Sequence, residues 1–221
     1  MAHFHHFTRR AFRSPSETDP MPEMPAELPL FPLHTVLVPE ARLPLKVFEV
    51  RYMDMVKACI RDGSSFGVCL IEEGQEVGAP ATPAQVGTSA RIVEWDMDQP
   101  GILQIVVTGE RRFRIAHAVA QPDGLLRAVV EWMPEPAVQA PPETLADTLP
   151  LLQAVVADAG DTAIPAPHRF DDAAWVGYRY TEILPIPVKA KQKLLELEDP
   201  LMRLTIIQQF LVQRGLLKQD A

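Results

Sequence analysis

The chain has few cysteines, no long apolar run, no excess of positive charge and no recognisable catalytic loop. Only Cys59 and Cys69 occur. They form neither a C-x-x-C pair nor any spacing of a zinc site, so a disulfide framework or zinc ribbon is excluded as the basis of the fold. Both lie in apolar segments, which predicts reduced thiols packed in a core. Charges or prolines interrupt every apolar stretch before the roughly 18 residues that a membrane helix needs. A soluble, cytoplasmic chain is expected. Lys and Arg number 21 against 29 Asp and Glu, a formal net charge of -8. That balance argues against broad attraction to phosphate, although a local basic face stays open.

What the sequence does have is material for a core. Of its 221 residues, 47% are hydrophobic and 23% charged, which is ordinary globular usage and fits one large domain or two small ones. The opening differs from the rest. Met1 to Arg13 interleaves His3, His5, His6, Arg9, Arg10 and Arg13 with Phe4, Phe7 and Phe12, and it lacks the apolar run of a secretory signal. Residues 1–26 are read as a dispensable flexible tail, with Met21 or Met24 an alternative start.

From Leu28 to Trp132 apolar residues recur mostly at every second position, the period of a half-buried strand. Phe66, Val68 and Leu70 make one such run, Thr88, Ala90 and Ile92 a second, Leu103, Ile105 and Val107 a third, and Leu126, Ala128, Val130 and Trp132 a last. Gln99-Pro100-Gly101 and Pro122-Asp123-Gly124 supply turn chemistry between them. Several short strands at this spacing predict a small antiparallel β-barrel over residues 27–133. One helix interrupts it. Tyr52, Met53, Val56, Cys59 and Ile60 follow helical spacing, Gly63 is placed to end the helix, and Arg51, Asp54, Lys57 and Arg61 form the expected polar face.

Pro134, Pro136, Pro141 and Pro142 remove amide donors in quick succession, so residues 134–142 read as an extended linker. Beyond it the period becomes helical, and residues 143–217 predict a four-helix bundle. Leu145 to Ala159 marks a first helix ending at Gly160. Asp171 or Asp172 caps a second that Pro185 stops, and Pro187 opens a third. Asp199-Pro200 starts the last, which runs to Gly215. The expected fold class is α+β.

The run Leu28-Pro29-Leu30-Phe31-Pro32-Leu33, continuing through Val36-Leu37-Val38-Pro39 to Leu43-Pro44-Leu45 and Phe48-Glu49-Val50-Arg51-Tyr52, closely resembles the opening of the Lon protease N-terminal substrate-binding domain. Gly109-Glu110-Arg111-Arg112-Phe113-Arg114-Ile115 agrees with that family, as do Ala174-Trp175, Ile183-Leu184-Pro185, Leu194 to Leu197 and Asp199-Pro200-Leu201. The resemblance spans about Leu28 to Gly215. It implies a PUA-like barrel followed by helices, and a module that captures unfolded or degron-bearing proteins for separate ATPase and Ser-Lys protease domains. The sequence contains no G-x-x-x-x-G-K-[ST] phosphate loop, so the chain is expected to be non-enzymatic and cofactor-free.

The residues offer little for chemistry. Ser64, Ser65 and Ser89 lie in no G-x-S-x-G elbow, and His34, His117 and His168 are scattered singly, without the paired nucleophile and base of an acyl-transfer site. Metal ligation is not expected. Binding is easier to motivate, because prolines between Leu28 and Leu45 prevent one regular ladder and leave apolar side chains to be accommodated. Val36, Leu37, Val38 and Leu43 are therefore candidates for a surface that accepts apolar polypeptide segments, with an edge strand adding main-chain hydrogen bonds. The alternative is that they seal the end of the barrel. Arg91, Arg112, Arg114 and Arg127 are candidates for a basic RNA-binding surface, against a solvated face neutralised by Glu94, Glu110 or Glu131. A third reading is an adaptor that docks on a protease or another complex.

Overall fold

The computed structural model describes residues 27–218. The strands are β1 (Glu27–Leu33), β2 (Arg42–Val47), β3 (Phe66–Glu73), β4 (Thr82–Gln99), β5 (Ile102–Ala120) and β6 (Leu126–Trp132), with helix α1 (Val50–Asp62) between β2 and β3. A 3-10 turn at Glu143–Leu145 leads into α2 (Thr148–Ala163), α3 (Ala173–Ile183), α4 (Val188–Glu196) and α5 (Pro200–Gln213).

The sheet is mixed, which corrects the expectation of a purely antiparallel one. β1 pairs with β3 in parallel, Leu30 opposite Gly67 and Leu33 opposite Leu70, whereas the other pairings are antiparallel. Parallel neighbours need a long crossover, and the segment holding β2 and α1 is that crossover. Periodicity reports which face a residue occupies and says nothing of strand direction. In the order β2-β5-β4-β3-β1-β6, β6 bonds also to β5. The pairings of β1, β3, β4, β5 and β6 thus return on themselves. Strands of 18 and 19 residues can follow such a path because β4 and β5 carry register shifts, as between Thr88 and Ala90 or Ile92 and Glu94, where irregular pairing bends and twists a strand.

β3 is buried on both faces from Phe66 to Ile71. It separates an apolar cluster holding Phe31, Tyr52, Phe66 and Val107 from a second one holding Leu28, Leu30, Cys69 and Phe113. α1 follows the sequence pattern, with Gly63 at φ 65° donating its amide to the Cys59 carbonyl. One residue of its expected polar face turns inward. Arg51 is buried, pairs with Glu49 at 2.7 Å and donates to the Gly124 carbonyl at 2.9 Å.

Among the helices, Asp172 rather than Asp171 caps α3, accepting from the Ala174 amide, and Asp199 caps α5 with Pro200 in its first turn. α2 runs one turn past Gly160, whose φ of 70° and ψ of 169° break it there. Every residue of α3 from Ala173 to Thr181 is buried, the signature of a central helix. It packs against α2, α4 and α5, while Ala174 and Tyr178 join the apolar cluster of the sheet. The sheet and helical segments therefore share a core. Within the described residues, no helix is long and apolar enough to cross a membrane.

Candidate functional site

The structure divides the four apolar candidates. Leu37 and Val38 are 3% and 1% exposed and belong to the main core. Their loop is tied down at several points: Thr88 donates its hydroxyl to the Leu37 carbonyl at 2.7 Å, and the Glu40 and Gly109 amides donate to the Gly109 and Ala41 carbonyls. These two side chains seal the core. Val36 and Leu43 stay partly exposed and pack on the edge of the same cluster.

The register shows which residues accompany them. Leu43 lies opposite Val107 on β5, which lies opposite Ile92 on β4, and Leu45 is likewise joined through Ile105 to Trp95. Directly opposed residues share a face of the sheet. The middle members, Val107 and Ile105, are 0% and 2% exposed, whereas the flanking Leu43, Leu45, Ile92 and Trp95 are partly open. Exposed Phe48 and Met97 continue the chain beyond β2 and beyond Trp95. Two apolar rows thus cross three strands and emerge at both ends. Sequence reading did not single out Leu45, Ile92 or Trp95 as surface candidates, because their alignment depends on pairing register. β2 pairs only with β5 among the described strands, yet Pro44 lacks an amide and Lys46 is exposed, two features that blunt an edge against strand addition.

The four arginines do not form a stripe. Arg112 is 4% exposed and donates through Nη1 to the carbonyls of Leu195 at 2.8 Å and Leu197 at 2.6 Å, at the C-terminal end of α4. A guanidinium there meets carbonyls that lack helical partners and the negative end of the helix dipole. Arg203 of α5 donates to the Leu194 and Leu197 carbonyls and lies over the Tyr178 ring. Arg112 is thus a strut between sheet and helices. Arg91, Arg114 and Arg127 are exposed, and each has a carboxylate nearby: Glu110 at 2.8 Å, Glu198 at 3.9 Å and Glu27 at 3.6 Å.

Among the described residues, no hydrogen bond joins one of the serines singled out above to one of the histidines. Ser65 donates to Glu110, Ser89 bonds the Arg111 backbone, and His168 contacts the Ile164 carbonyl beside Trp175. Burial raises the pKa of both Cys59 and Cys69, opposing thiolate formation. Among the described residues, no group of three or more His, Cys, Asp or Glu could hold a metal ion.

A mixed sheet returning on itself, joined through a shared core to a central buried helix and its neighbours, defines a Lon N-terminal-like fold. The family model of the ATP-dependent protease La (LON) substrate-binding domain matches residues 27–213, and the chain belongs to that family. A Lon N-terminal domain protein from Xanthomonas campestris is similar in structure, with a TM-score of 0.67 and 37% identity over 83% of this chain and 98% of that one. The N-terminal domain of a Mycobacterium avium complex Lon protease shares the fold at a TM-score of 0.63 and 20% identity, covering 83% of this chain and 97% of that one. Among curated relatives, the Cytophaga hutchinsonii Lon protease is 25% identical over 199 residues, 86% of this chain and 24% of that protein. Danio rerio protein cereblon is 30% identical over 112 residues, 49% of this chain and 26% of cereblon. The chain spans about a quarter of the length of these curated relatives.

Proposed function

We propose that the chain is a non-catalytic, cytoplasmic polypeptide-binding module that captures apolar segments of unfolded or degron-bearing proteins. In this reading residues 27–133 act as a closed PUA-like barrel, residues 134–142 as its linker and residues 143–217 as a four-helix bundle that braces it. The observation that carries the reading is the pair of apolar rows through Val107 and Ile105, whose partly exposed ends are Leu43, Ile92, Leu45 and Trp95. Such a surface binds with little sequence demand, because apolar burial is non-directional. Membership of the Lon substrate-binding family supports a binding role.

Titration of the full chain with a fluorescently labelled, permanently unfolded client tests it. Leu43→Asp and Trp95→Asp are each expected to weaken binding about tenfold or more, the size expected when one large apolar side chain no longer buries. Binding should persist in added salt. Unchanged affinity in both variants would overturn the assignment of this surface. Salt-sensitive retention of RNA would favour the basic-surface reading, and capture of one stoichiometric protein partner an adaptor.

A further inference from the structure

β5 pairs with β2 as far as Thr108 and with β6 from Phe113 onward. Between those two pairings, beside Gly109 to Arg112, lies a cleft of about 420 Å³ bounded by the sheet, by α3 and by the segment after β6. That is the size of a small-ligand site. Its lining includes Trp175 and Tyr178; of its arginines, Arg91 and Arg111 pair with Glu110 and Glu135, and Arg169 with Glu40 and Asp172, which leaves Arg112 without a carboxylate partner among the described residues.

Two features give the cleft a chemical preference. The first is an imbalance of unmet hydrogen bonds: Arg112 Nη2 and Arg169 Nε are buried without an acceptor and Arg111 Nε has only the poorly aligned, exposed Glu135 carboxylate, while no buried side-chain acceptor of the lining lacks a donor among the described residues. Arg112 is itself more than nine-tenths buried. Unmet buried donors are costly, and a group that brings acceptors relieves them. The second is the strap over the cleft. It is anchored where the Met133 amide donates to the Arg112 carbonyl at 3.0 Å and where the Ala173 amide donates to the Gln139 carbonyl at 2.8 Å. Between these points Pro134 and Pro136 have no amide, residues 134 to 138 make no backbone hydrogen bond to another described residue, and Val138 is 70% exposed. From this strap Glu135 places Oε1 3.0 Å from Arg111 Nε, although its side chain is 69% exposed.

We propose that the cleft binds a carboxylate carried by an extended peptide, and that Glu135 occupies this position until the peptide displaces it and the strap lifts. The proposal rests on the polypeptide-binding reading but uses a different surface from the apolar rows. Because the three nitrogens are closed to solvent, a ligand reaches them only when a neighbouring segment moves, and between its anchored ends the one polar tie of the strap among the described residues is the Glu135–Arg111 ion pair. A carboxylate suits the guanidinium fork, with Trp175 and Tyr178 supporting the adjoining residues.

The test is fluorescence-polarisation titration of the full chain with three labelled hexapeptides: one ending in a free α-carboxylate, its neutral amide, and the amide with one internal Glu. Glu135→Gln is expected to strengthen binding of a carboxylate-bearing peptide about two- to fivefold, the range set by removing a partly exposed competing ion pair. Arg111→Gln should weaken it below wild type, and the neutral amide should respond to neither change. Whether the free acid or the internal Glu responds identifies the source of the carboxylate. Equal binding of all three peptides, no response to Glu135→Gln, or salt-sensitive capture of an oligonucleotide in the cleft would overturn the proposal. Loss of client binding in Leu43→Asp with Arg111→Gln silent would overturn the cleft while leaving the apolar rows standing.

Discussion

Arg179 on α3 donates through Nη2 to the carbonyl of Pro39 at 2.6 Å, and through Nη1 to that of Glu40 at 3.1 Å. Arg179 is 1% exposed, so one buried cation fixes the loop between β1 and β2 to the central helix. It also steadies a strained residue, since Glu40 adopts φ 63°, a region unfavourable for side chains other than glycine. Burial pushes the Arg179 pKa down, and the charges of Glu182 and Glu40 push back. Arg179→Ala is expected to cost about 2–4 kcal/mol in urea unfolding. Arg179→Lys should recover little of it, because an ammonium cannot span two carbonyls as a fork does.

Gly109 marks the same loop from the sheet side. A Cβ there would sit 2.3 Å from the Val38 carbonyl oxygen and 3.1 Å from Leu37 Cγ. The obstacle is backbone, which cannot rotate away. Gly109→Ala should therefore destabilise by about 1–3 kcal/mol and speed hydrogen exchange of the Glu40 amide, whose acceptor is the Gly109 carbonyl.

Leu37 and Leu43 lie six positions apart and differ in burial. Leu37→Asp puts a carboxylate into the core and is expected to cost more than about 3 kcal/mol or abolish folding. Leu43→Asp, at a partly exposed position, should change unfolding by no more than about 1 kcal/mol. Equal destabilisation of the two in urea would contradict their different burial.

Glu182 on α3 gives a pH signature. Burial raises its pKa above the ordinary 4.5, opposed by the charges of Arg179 and Lys191. The folded chain thus holds this proton more tightly than the unfolded chain. The associated stability is complete below the unfolded value and is lost as pH rises through the folded one. Urea unfolding from about pH 4 to pH 7 should show a stability difference, Glu182→Gln minus wild type, that becomes more positive with rising pH. A difference that stays flat would show that Glu182 titrates alike in both states.

Much of the architecture was legible along the chain. Gly63, Asp199 and Pro200 end or start helices through local backbone chemistry, so their positions follow from residue type. The same holds for the turns at Gly101 and Gly124, which adopt φ 85° and 84°. The buried arginines were not legible. Arg112 and Arg114 alternate with Phe113 as any strand charges would, and only the arrival of the α4 carbonyls draws Arg112 inward. The proposed surface was legible only in part: the prolines between Leu28 and Leu45 drew attention to that run but could not separate the buried Leu37 from the partly exposed Leu43.

The amino-acid sequence by itself determined that strands precede helices, where several helices start or stop, and which residues are apolar, because capping, turn geometry and periodicity act within a few positions. It also carried the family pattern. The tertiary structure alone decided that β1 runs parallel to β3, that Trp95 and Leu45 flank Ile105, and that arginines from three separate segments line one cleft. Those are pairings between residues tens of positions apart, fixed by strand register and by packing against α3, and no local preference encodes them.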